Sequence, residues 1–559
     1  MPRRTAQTLT GDALRLCVVV FFAAVVTFAG LRALPPLDRD EARFAQATAQ
    51  MLETGDFITI RFQDDERNKK PAGIHWLQAV SVSAFSTPEA REIWAYRLPS
   101  VLGAVLAAVF AYLAGVRLYG PATGFLGALL LAAAPLAAGE ATIAKTDAAL
   151  LAAIVAAQCA LIHVFGRWKD RQPADGAARW TWPLVFWIAL GASVLLKGPI
   201  GPMIVGFTGA ALFARWPRLE WVRALRPVVG LAILVLMIAP WAVAIGHATE
   251  GRFYAEAVGG DMLGKVGTAQ ESHGGPPGYH LALVWMLFWP GAALLIPAAF
   301  LAVATRRAWP CWLLIGWIAP AWLVFELTAT KLPHYVLPLY PALAILAARA
   351  ASLGAGRRRP IARRAGAIVY GAVGLVFAAC VAVLPFLFGA SAANFFVLVS
   401  AVAIALASLY AASLFWRGRC LAGAYAACLL GVFLAWTVLN GALPQLDRLK
   451  ISPNISAALD EADRHPLRDG APPAALAGYY EPSAVFLLGT QTRLTDGAGA
   501  ARYLAETPDA AAVVEDAQAD EFHETVKKSG VNARALAVVE GLNYSNGRDV
   551  RLTIYVIEP

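Results

Sequence analysis

Charged residues are scarce in this chain. Asp, Glu, Lys and Arg together make up 15% of its 559 residues, whereas 58% of the residues are hydrophobic. Soluble globular proteins have about 25% charged residues. The shortage excludes an ordinary water-soluble protein, since too few charges remain to cover its surface, and it predicts an integral membrane protein.

Cysteine is also rare, and its placement excludes two classes of small domain. The six cysteines stand in or beside apolar runs, at Cys17, Cys159, Cys311, Cys380, Cys420 and Cys428. They include no CxxC pair. The pattern therefore argues against a disulfide scaffold and a zinc-binding module, and favours small apolar side chains packed among helices.

The net charge of +9 is unevenly distributed along the chain. The segment from Pro444 onward has 17 acidic and 11 basic residues, a net charge of −6, so the preceding part carries +15. Most of that excess lies in short arginine clusters between apolar runs. This arrangement is typical of membrane topology and not of a nucleic-acid-binding face, so no nucleic-acid partner is expected.

Thirteen apolar runs are long enough to cross a bilayer as helices. They lie at roughly 13–34, 96–117, 121–139, 146–165, 181–196, 199–214, 227–246, 279–303, 309–328, 333–350, 366–388, 393–415 and 419–440. The arginine clusters fall on alternate sides, which predicts a multi-pass membrane protein with a cytoplasmic N-terminus. An odd number of spans then places the C-terminus in the periplasm.

The pattern divides the chain into a membrane domain, residues 1–443, and a soluble α/β domain, residues 444–559. Within the membrane domain, segment 35–95 is predicted to be a periplasmic loop with helices in the membrane interface. Segment 247–278 is glycine-rich and is predicted to be a mobile periplasmic loop. In the C-terminal domain, strands are predicted at 534–539 and 550–557, around an Asn-Gly turn.

Several ionisable side chains stand at the outside ends of the predicted spans. Each has an ordinary explanation: Asp40 and Asp147 could begin helices, and a lone histidine such as His334 is usually structural. They share one membrane face, however, and that face carries few other charges. Ionisable groups near a bilayer are costly to keep and usually functional. A carboxylate among fixed cations suits the binding of a lipid phosphate and its acceptor.

Five motifs in this order resemble a known family, the GT-C glycosyltransferases of the lipid A aminoarabinose transferase and protein O-mannosyltransferase superfamily. The first runs from Asp40-Glu41-Ala42-Arg43-Phe44 to Thr54-Gly55-Asp56-Phe57, and the others are Lys70-Pro71 with Trp76-Leu77, Ala144-Lys145-Thr146-Asp147, Leu196-Lys197-Gly198-Pro199, and Lys331-Leu332-Pro333-His334-Tyr335 through Tyr340. The resemblance covers residues 13–350 and implies the GT-C architecture with about thirteen spans.

The resemblance implies an inverting transfer of a sugar from a polyprenyl-phosphate (undecaprenyl-phosphate) donor. The acceptor would be lipid A or lipopolysaccharide, another glycan or a protein, on the periplasmic side. Asp40 would be the essential carboxylate of the first loop, taking a hydroxyl proton or orienting a phosphate acceptor. Asp147 would be the second required acid.

The same resemblance assigns the donor-binding residues. Lys70 would bind the donor phosphate with the help of Arg43 and Lys331, while His334, Tyr335 and Tyr340 would line the donor cavity. No cofactor is assigned with certainty. Relatives in the aminoarabinose branch tend to have a glutamate before the Lys-Pro pair, where a divalent metal has been placed with histidines. Here that position is Lys69, a cation that cannot ligate a metal.

Two other classes of protein could explain the many spans. A polyprenyl-linked sugar flippase or secondary transporter should have internal repeats and ionisable residues in mid-span, whereas the charges here stand at one face. A structural or sensory membrane protein would explain an exported tail, but it has no need for Asp40, Lys70, Asp147 and Lys331 on one side. The pattern favours the glycosyltransferase.

Overall fold

The computed structural model describes residues 6–172, 176, 178–264, 274–354, 359–389 and 394–557. Most of this part of the chain is helical, and a small sheet domain follows the last long apolar helix. The prediction of a polytopic helical membrane protein with a C-terminal α/β domain is therefore confirmed.

Nine helices of the described residues are long and apolar enough to cross a membrane. They are Ile93–Tyr119, Asp147–Lys169, Arg179–Lys197, Pro227–Ala248, Trp309–Leu327, Pro333–Ser352, Pro360–Phe388, Phe395–Trp416 and Cys420–Gln445. The pair Pro121–Ala132 and Pro135–Ala141 is bent by 62° at its break, and it makes a tenth span if the two helices cross together. Two shorter apolar helices are Ile200–Arg215 and Trp289–Thr305. The count of thirteen spans stays a prediction.

Shorter elements connect these helices. Helix Ala6–Thr27 begins the described chain, helices Asp40–Thr54 and Gly73–Phe85 lie in the first predicted loop, and the other connecting helices are Leu219–Ala224, Arg252–Tyr254, Ala255–Leu263 and Tyr279–Leu287. Between residues 247 and 278, which were predicted to be mobile, the stretch 265–273 lies outside the described residues.

Helix Asp147–Lys169 is the centre of the bundle, since 94% of its apolar 18-residue stretch is buried inside the protein. Small residues let its neighbours approach closely, as is common between membrane helices. A Cβ atom on Gly103 of the adjacent helix, for example, would lie 2.7 Å from the carbonyl oxygen of Ala148. This packing fixes the outside end of the central helix, where Asp147 stands.

The two helices of the first loop pack on the rest of the protein. Phe44, Ala47 and Met51 of helix Asp40–Thr54 are all buried. Between the helices, strands β1 (Arg61–Phe62) and β2 (Asp65–Glu66) form a short antiparallel pair. The loop is thus a folded layer against the bundle, which holds Asp40 and Lys70 in defined positions.

The C-terminal domain contains one five-stranded sheet in the order β4-β3-β5-β7-β6. Its strands are β3 (Ala475–Ala477), β4 (Arg493–Thr495), β5 (Ala511–Glu515), β6 (Ala533–Asn543) and β7 (Arg548–Ile557). Its helices are Ile451–Glu461, Pro482–Leu488, Gly497–Glu506 and Asp516–Ser529. β6 and β7 form the predicted hairpin, and Asn543 pairs with Arg548 across the Asn-Gly turn.

Candidate active site

Five charged or titratable side chains from three separate stretches of the chain meet at one end of the bundle. Glu140 lies near the end of helix Pro135–Ala141, and Asp147 begins the central helix. Lys145 lies between these two helices, Lys197 ends helix Ala178–Lys197, and His334 lies in the turn Pro333–Leu339. Because all of these helix ends face the same side, a cluster forms that no single segment could provide.

Ion pairs hold this cluster together. The Lys197 Nζ lies 2.5 Å from Asp147 Oδ1, and the Lys145 Nζ lies 3.0 Å from Glu140 Oε2 and 3.6 Å from Asp147 Oδ2. The ring of His334 completes it, with Nδ1 3.5 Å from Lys145 Nζ and Nε2 3.8 Å from Asp147 Oδ1. Glu140, Lys145 and Asp147 are buried, so the two acids need both lysines to offset the cost of desolvation.

Asp40 faces this cluster from the first loop. It begins helix Asp40–Thr54, and its Oδ1 lies 3.5 Å from an Arg67 guanidinium nitrogen. Burial raises the pKa of Asp40, but the charges of Lys70, Arg67 and Lys145 outweigh that effect and lower the pKa to about 2. The carboxylate is therefore ionised at every working pH, while its side chain remains 47% exposed.

Lys70 is the cation best placed to receive an anion. Its ammonium lies 5.3 Å from the centre of the Phe44 ring, and within the described chain no carboxylate oxygen lies within 4 Å of it. Burial and the nearby charge of Lys197 lower the pKa of Lys70 to about 8, against the opposing effect of Asp40. An incoming phosphate would relieve the repulsion between these two lysines.

Glu41, next to Asp40, has a structural part. Its carboxylate accepts two hydrogen bonds of 2.8 Å from Arg97, one of 2.9 Å from the Leu37 amide and one of 2.7 Å from the Ala144 amide. Both Glu41 and Arg97 are fully buried. This pair links the first loop to the segment that carries Lys145, and so it sets the distance between Asp40 and the charged cluster.

Not every residue proposed from the sequence joins the cluster. Asp40, Lys70, Asp147 and His334 are within electrostatic reach of one another, and Tyr335 stands beside His334 with ring centres 5.3 Å apart. Three others have different neighbours: Arg43 lies near Asp38, Lys331 donates to the Thr328 carbonyl at 2.7 Å, and the buried Tyr340 packs on Phe288 at 5.4 Å.

Four charged residues of the site were not among those chosen from the sequence: Arg67, Glu140, Lys145 and Lys197. Their signal is present in the pattern, because Glu140, Lys145 and Lys197 are ionisable residues at the ends of apolar runs. Helix rotation decides whether such a residue faces the bundle interior or the lipid. One sequence does not reveal that rotation when a run is apolar on all sides.

The geometry tests the metal that the family resemblance raised. Glu140, Asp147 and His334 have potential ligand atoms within 4.8 Å of one another. However, the Lys145 Nζ lies within 3.6 Å of all three side chains, and the Lys197 Nζ contacts Asp147. The positive charge that a divalent cation would supply is already supplied by two ammonium groups. These residues do not fit a metal.

Residues 19–250 match the sequence family described as dolichyl-phosphate-mannose-protein mannosyltransferase. The chain is also similar to undecaprenyl phosphate-alpha-4-amino-4-deoxy-L-arabinose arabinosyl transferases. It is 28% identical to the Pseudomonas aeruginosa protein over 316 residues, 55% of this chain and 54% of that relative. For the Erwinia tasmaniensis protein the identity is 26% over 434 residues, 73% of this chain and 74% of the relative. The match thus spans about half the length of the first of these relatives.

Solved structures share the whole fold. The crystal structure of ArnT from Cupriavidus metallidurans bound to undecaprenyl phosphate aligns with a TM-score of 0.73 and 21% identity, covering 96% of this chain and 97% of that one. The oligosaccharyltransferase AglB from Archaeoglobus fulgidus aligns with a TM-score of 0.51 and 14% identity, covering 94% and 69%. At these identities the likeness establishes the architecture.

Proposed function

We propose that this chain is a GT-C glycosyltransferase of the bacterial inner membrane, similar to the aminoarabinose transferases and protein O-mannosyltransferases, and that it transfers a sugar from a polyprenyl-phosphate donor. The acceptor is lipid A, another glycan or a protein at the outer face of the membrane. One observation carries the proposal: Asp40 lies within electrostatic reach of Lys70 at one end of the bundle, and among the described residues no carboxylate oxygen lies within 4 Å of the Lys70 ammonium.

The proposed reaction breaks the bond between the anomeric carbon and the donor phosphate oxygen. An acceptor oxygen attacks the opposite face of the sugar, so the anomeric configuration inverts and polyprenyl phosphate leaves. Lys70 stabilises the negative charge that grows on the departing phosphate. Asp40 orients the acceptor and accepts its proton or its hydrogen bond. Arg43 and Lys331 lie outside the cluster, so Lys70 has the main role in binding the donor phosphate.

Asp147 has the second essential part, because it holds Lys145 and Lys197 in place by the ion pairs described above. His334 and Tyr335 line the charged end of the proposed donor site, and Tyr340 supports them only from a distance, since it packs on Phe288. The lysine pair stands where a metal would otherwise bind, so the proposed reaction uses protein cations at this position. Lysine ammonium groups can supply the electrostatic stabilisation that transfer from a phosphate requires.

An apolar cavity in the bundle suits the lipid part of the donor. It has a volume of about 320 Å³ and is lined by Ala138, Gly139, Phe377 and Leu434, among others. Gly139 directly precedes Glu140 of the charged cluster. A polyprenyl chain in this cavity would therefore have its phosphate near the cations.

Transfer can be measured with the purified protein in liposomes. We expect that undecaprenyl-phosphate-linked pentose or hexose is consumed, and that undecaprenyl phosphate appears together with a glycosylated product. Parallel reactions with lipid A, an envelope glycan and a protein extract would identify the acceptor by mass spectrometry. Movement of the sugar-lipid across the bilayer without any product would instead support a transporter and contradict the proposal.

The proposed orientation places the site and residues 444–559 in the periplasm, since the arginine clusters mark the opposite side. We expect reporter fusions after Arg359 to be active in the cytoplasm and fusions after Gln445 to be active in the periplasm. A fusion after Gly55 serves as an internal reference, because it lies in the first loop beside Asp40. Activity of both the Arg359 and Gln445 fusions in one compartment would contradict this topology.

A further inference from the structure

The C-terminal domain contacts the two residues that immediately precede Asp40. The backbone amide of Asp38 donates a 2.6 Å hydrogen bond to the Tyr544 hydroxyl, and the Asp38 carboxylate accepts one of 3.2 Å from the Ser483 amide. The Arg39 guanidinium also donates to the carbonyl oxygen of Ser545. All three partners belong to the domain that follows the membrane helices, more than 440 residues away in sequence.

The backbone at this point needs such support. Arg39 has φ 64° and ψ −113°, a conformation that residues with a side chain rarely adopt. It is the residue before helix Asp40–Thr54, and its side chain makes no capping hydrogen bond to that helix. An unusual conformation of this kind persists where surrounding contacts determine it. The orientation of Asp40 therefore depends on contacts outside its own helix.

The contacting turn of the C-terminal domain is itself held rigidly. The Glu481 carboxylate accepts hydrogen bonds from the Asn543 amide group at 2.8 Å and from the Ser545 hydroxyl at 3.0 Å. The Asn543 side chain also accepts a 2.9 Å bond from the Ser545 amide. Tyr544 thus stands on a preformed turn between strands β6 and β7, which can position another segment without being ordered by it.

We propose that Tyr544 is a positioning residue of the transfer reaction. Its hydroxyl, presented by the Asn543–Gly547 turn, holds the Asp38 amide and so directs Asp40 toward the cations of the site. The C-terminal domain then acts on turnover without contacting the substrate. This inference rests on the proposed function, and it assigns the domain a part in catalysis beyond stability.

The test replaces Tyr544 by phenylalanine, which removes the hydroxyl and keeps the ring. We expect kcat to fall about tenfold, since small misplacements of a reacting group lower turnover strongly, while KM for the polyprenyl donor changes less than about twofold. Tyr480→Phe is the matched control, because its hydroxyl bonds to Thr495 within the same domain; it should keep wild-type kcat. Unchanged kcat in Tyr544→Phe, or an equal fall in both variants, overturns the inference.

A second variant separates positioning from stability. Glu481→Gln loosens the turn without touching Tyr544, and we expect it to lower kcat about threefold. If both changes act through one contact, the double variant should be no slower than Tyr544→Phe alone. The inference is overturned if the losses in kcat of Tyr544→Phe and Glu481→Gln multiply in the double variant. It is also overturned if kcat falls in parallel with the melting temperature across these three variants and Tyr480→Phe. A wild-type protein without transfer activity would contradict the proposed function instead.

Discussion

Asp40→Asn is expected to lower kcat about a thousandfold, while the protein still inserts and folds. Asparagine keeps the shape of the side chain and removes its charge. A positioned carboxylate that accepts a proton or hydrogen bond from the acceptor contributes about 10²- to 10⁴-fold to a rate. The cations around Asp40 keep it ionised, so the substitution removes a charge that is present at every pH of the assay.

Asp40→Glu tests position against charge. It keeps the carboxylate but moves it by about one methylene, enough to spoil a near-attack geometry, and we expect it to lose most turnover as well. Asp64→Asn is the matched control, because Asp64 is an exposed acid of the same loop in the turn between β1 and β2. It should retain wild-type transfer.

The alternative is that Asp40 only begins a helix. The structure makes this a weak explanation, because Arg39 occupies the capping position and no side chain caps that end. If Asp40 were structural, asparagine would be tolerated, as it serves equally well at helix starts. Transfer close to the wild-type rate in Asp40→Asn would support that alternative and move the search for the essential carboxylate to Asp147.

The sequence predicted the class of the fold and one local element well. A shortage of charge over long apolar runs leaves a chain few alternatives to membrane helices. The hairpin of β6 and β7 was likewise predictable, because an Asn-Gly turn between two β-branched runs is a strong local signal. The order of the other strands depends on packing between distant segments, and the sequence alone did not indicate it.

The site shows the same division between local and distant information. Asp40, Asp147 and His334 could be chosen because each stands at the outside end of an apolar run, whereas Lys70 was chosen through the family resemblance. Glu41 could not be distinguished from Asp40, although one is buried against Arg97 and the other faces the cations. Their difference arises from a pairing 56 residues apart in sequence, which no pattern within the loop reveals.

The arrangement of lysines around the acids of the cluster was only half visible in the sequence. Lys69 at the expected glutamate position argued against one metal ligand. The stronger argument is that Lys145 and Lys197 already contact the acids of the cluster, and it required three-dimensional distances. Contacts of the C-terminal domain with Asp38 and Arg39 were equally inaccessible, because they join the two ends of the chain.

Lys70→Ala should lower kcat/KM for the polyprenyl-phosphate donor by about 10²- to 10³-fold. One well-placed group that stabilises charge in the transition state is worth about 3 to 4 kcal/mol. Lys70 is suited to this because no carboxylate within the described chain pairs with its ammonium. Lys69→Ala is the control, since it removes an adjacent and exposed lysine, and we expect less than about a threefold change.

The pH dependence of transfer tests whether Lys70 is the phosphate-binding cation. Burial and the charge of Lys197 lower its pKa to about 8, so the ammonium is charged below that pH and becomes neutral above it. Wild-type kcat/KM for the donor should therefore fall as the pH rises through about 8. Arginine stays protonated in this range. Lys70→Arg should consequently show a lower maximum, because its geometry differs, and no loss between pH 8 and 10. An alkaline fall that persists unchanged in Lys70→Arg, or full activity in Lys70→Ala, would exclude Lys70 as the phosphate-binding cation.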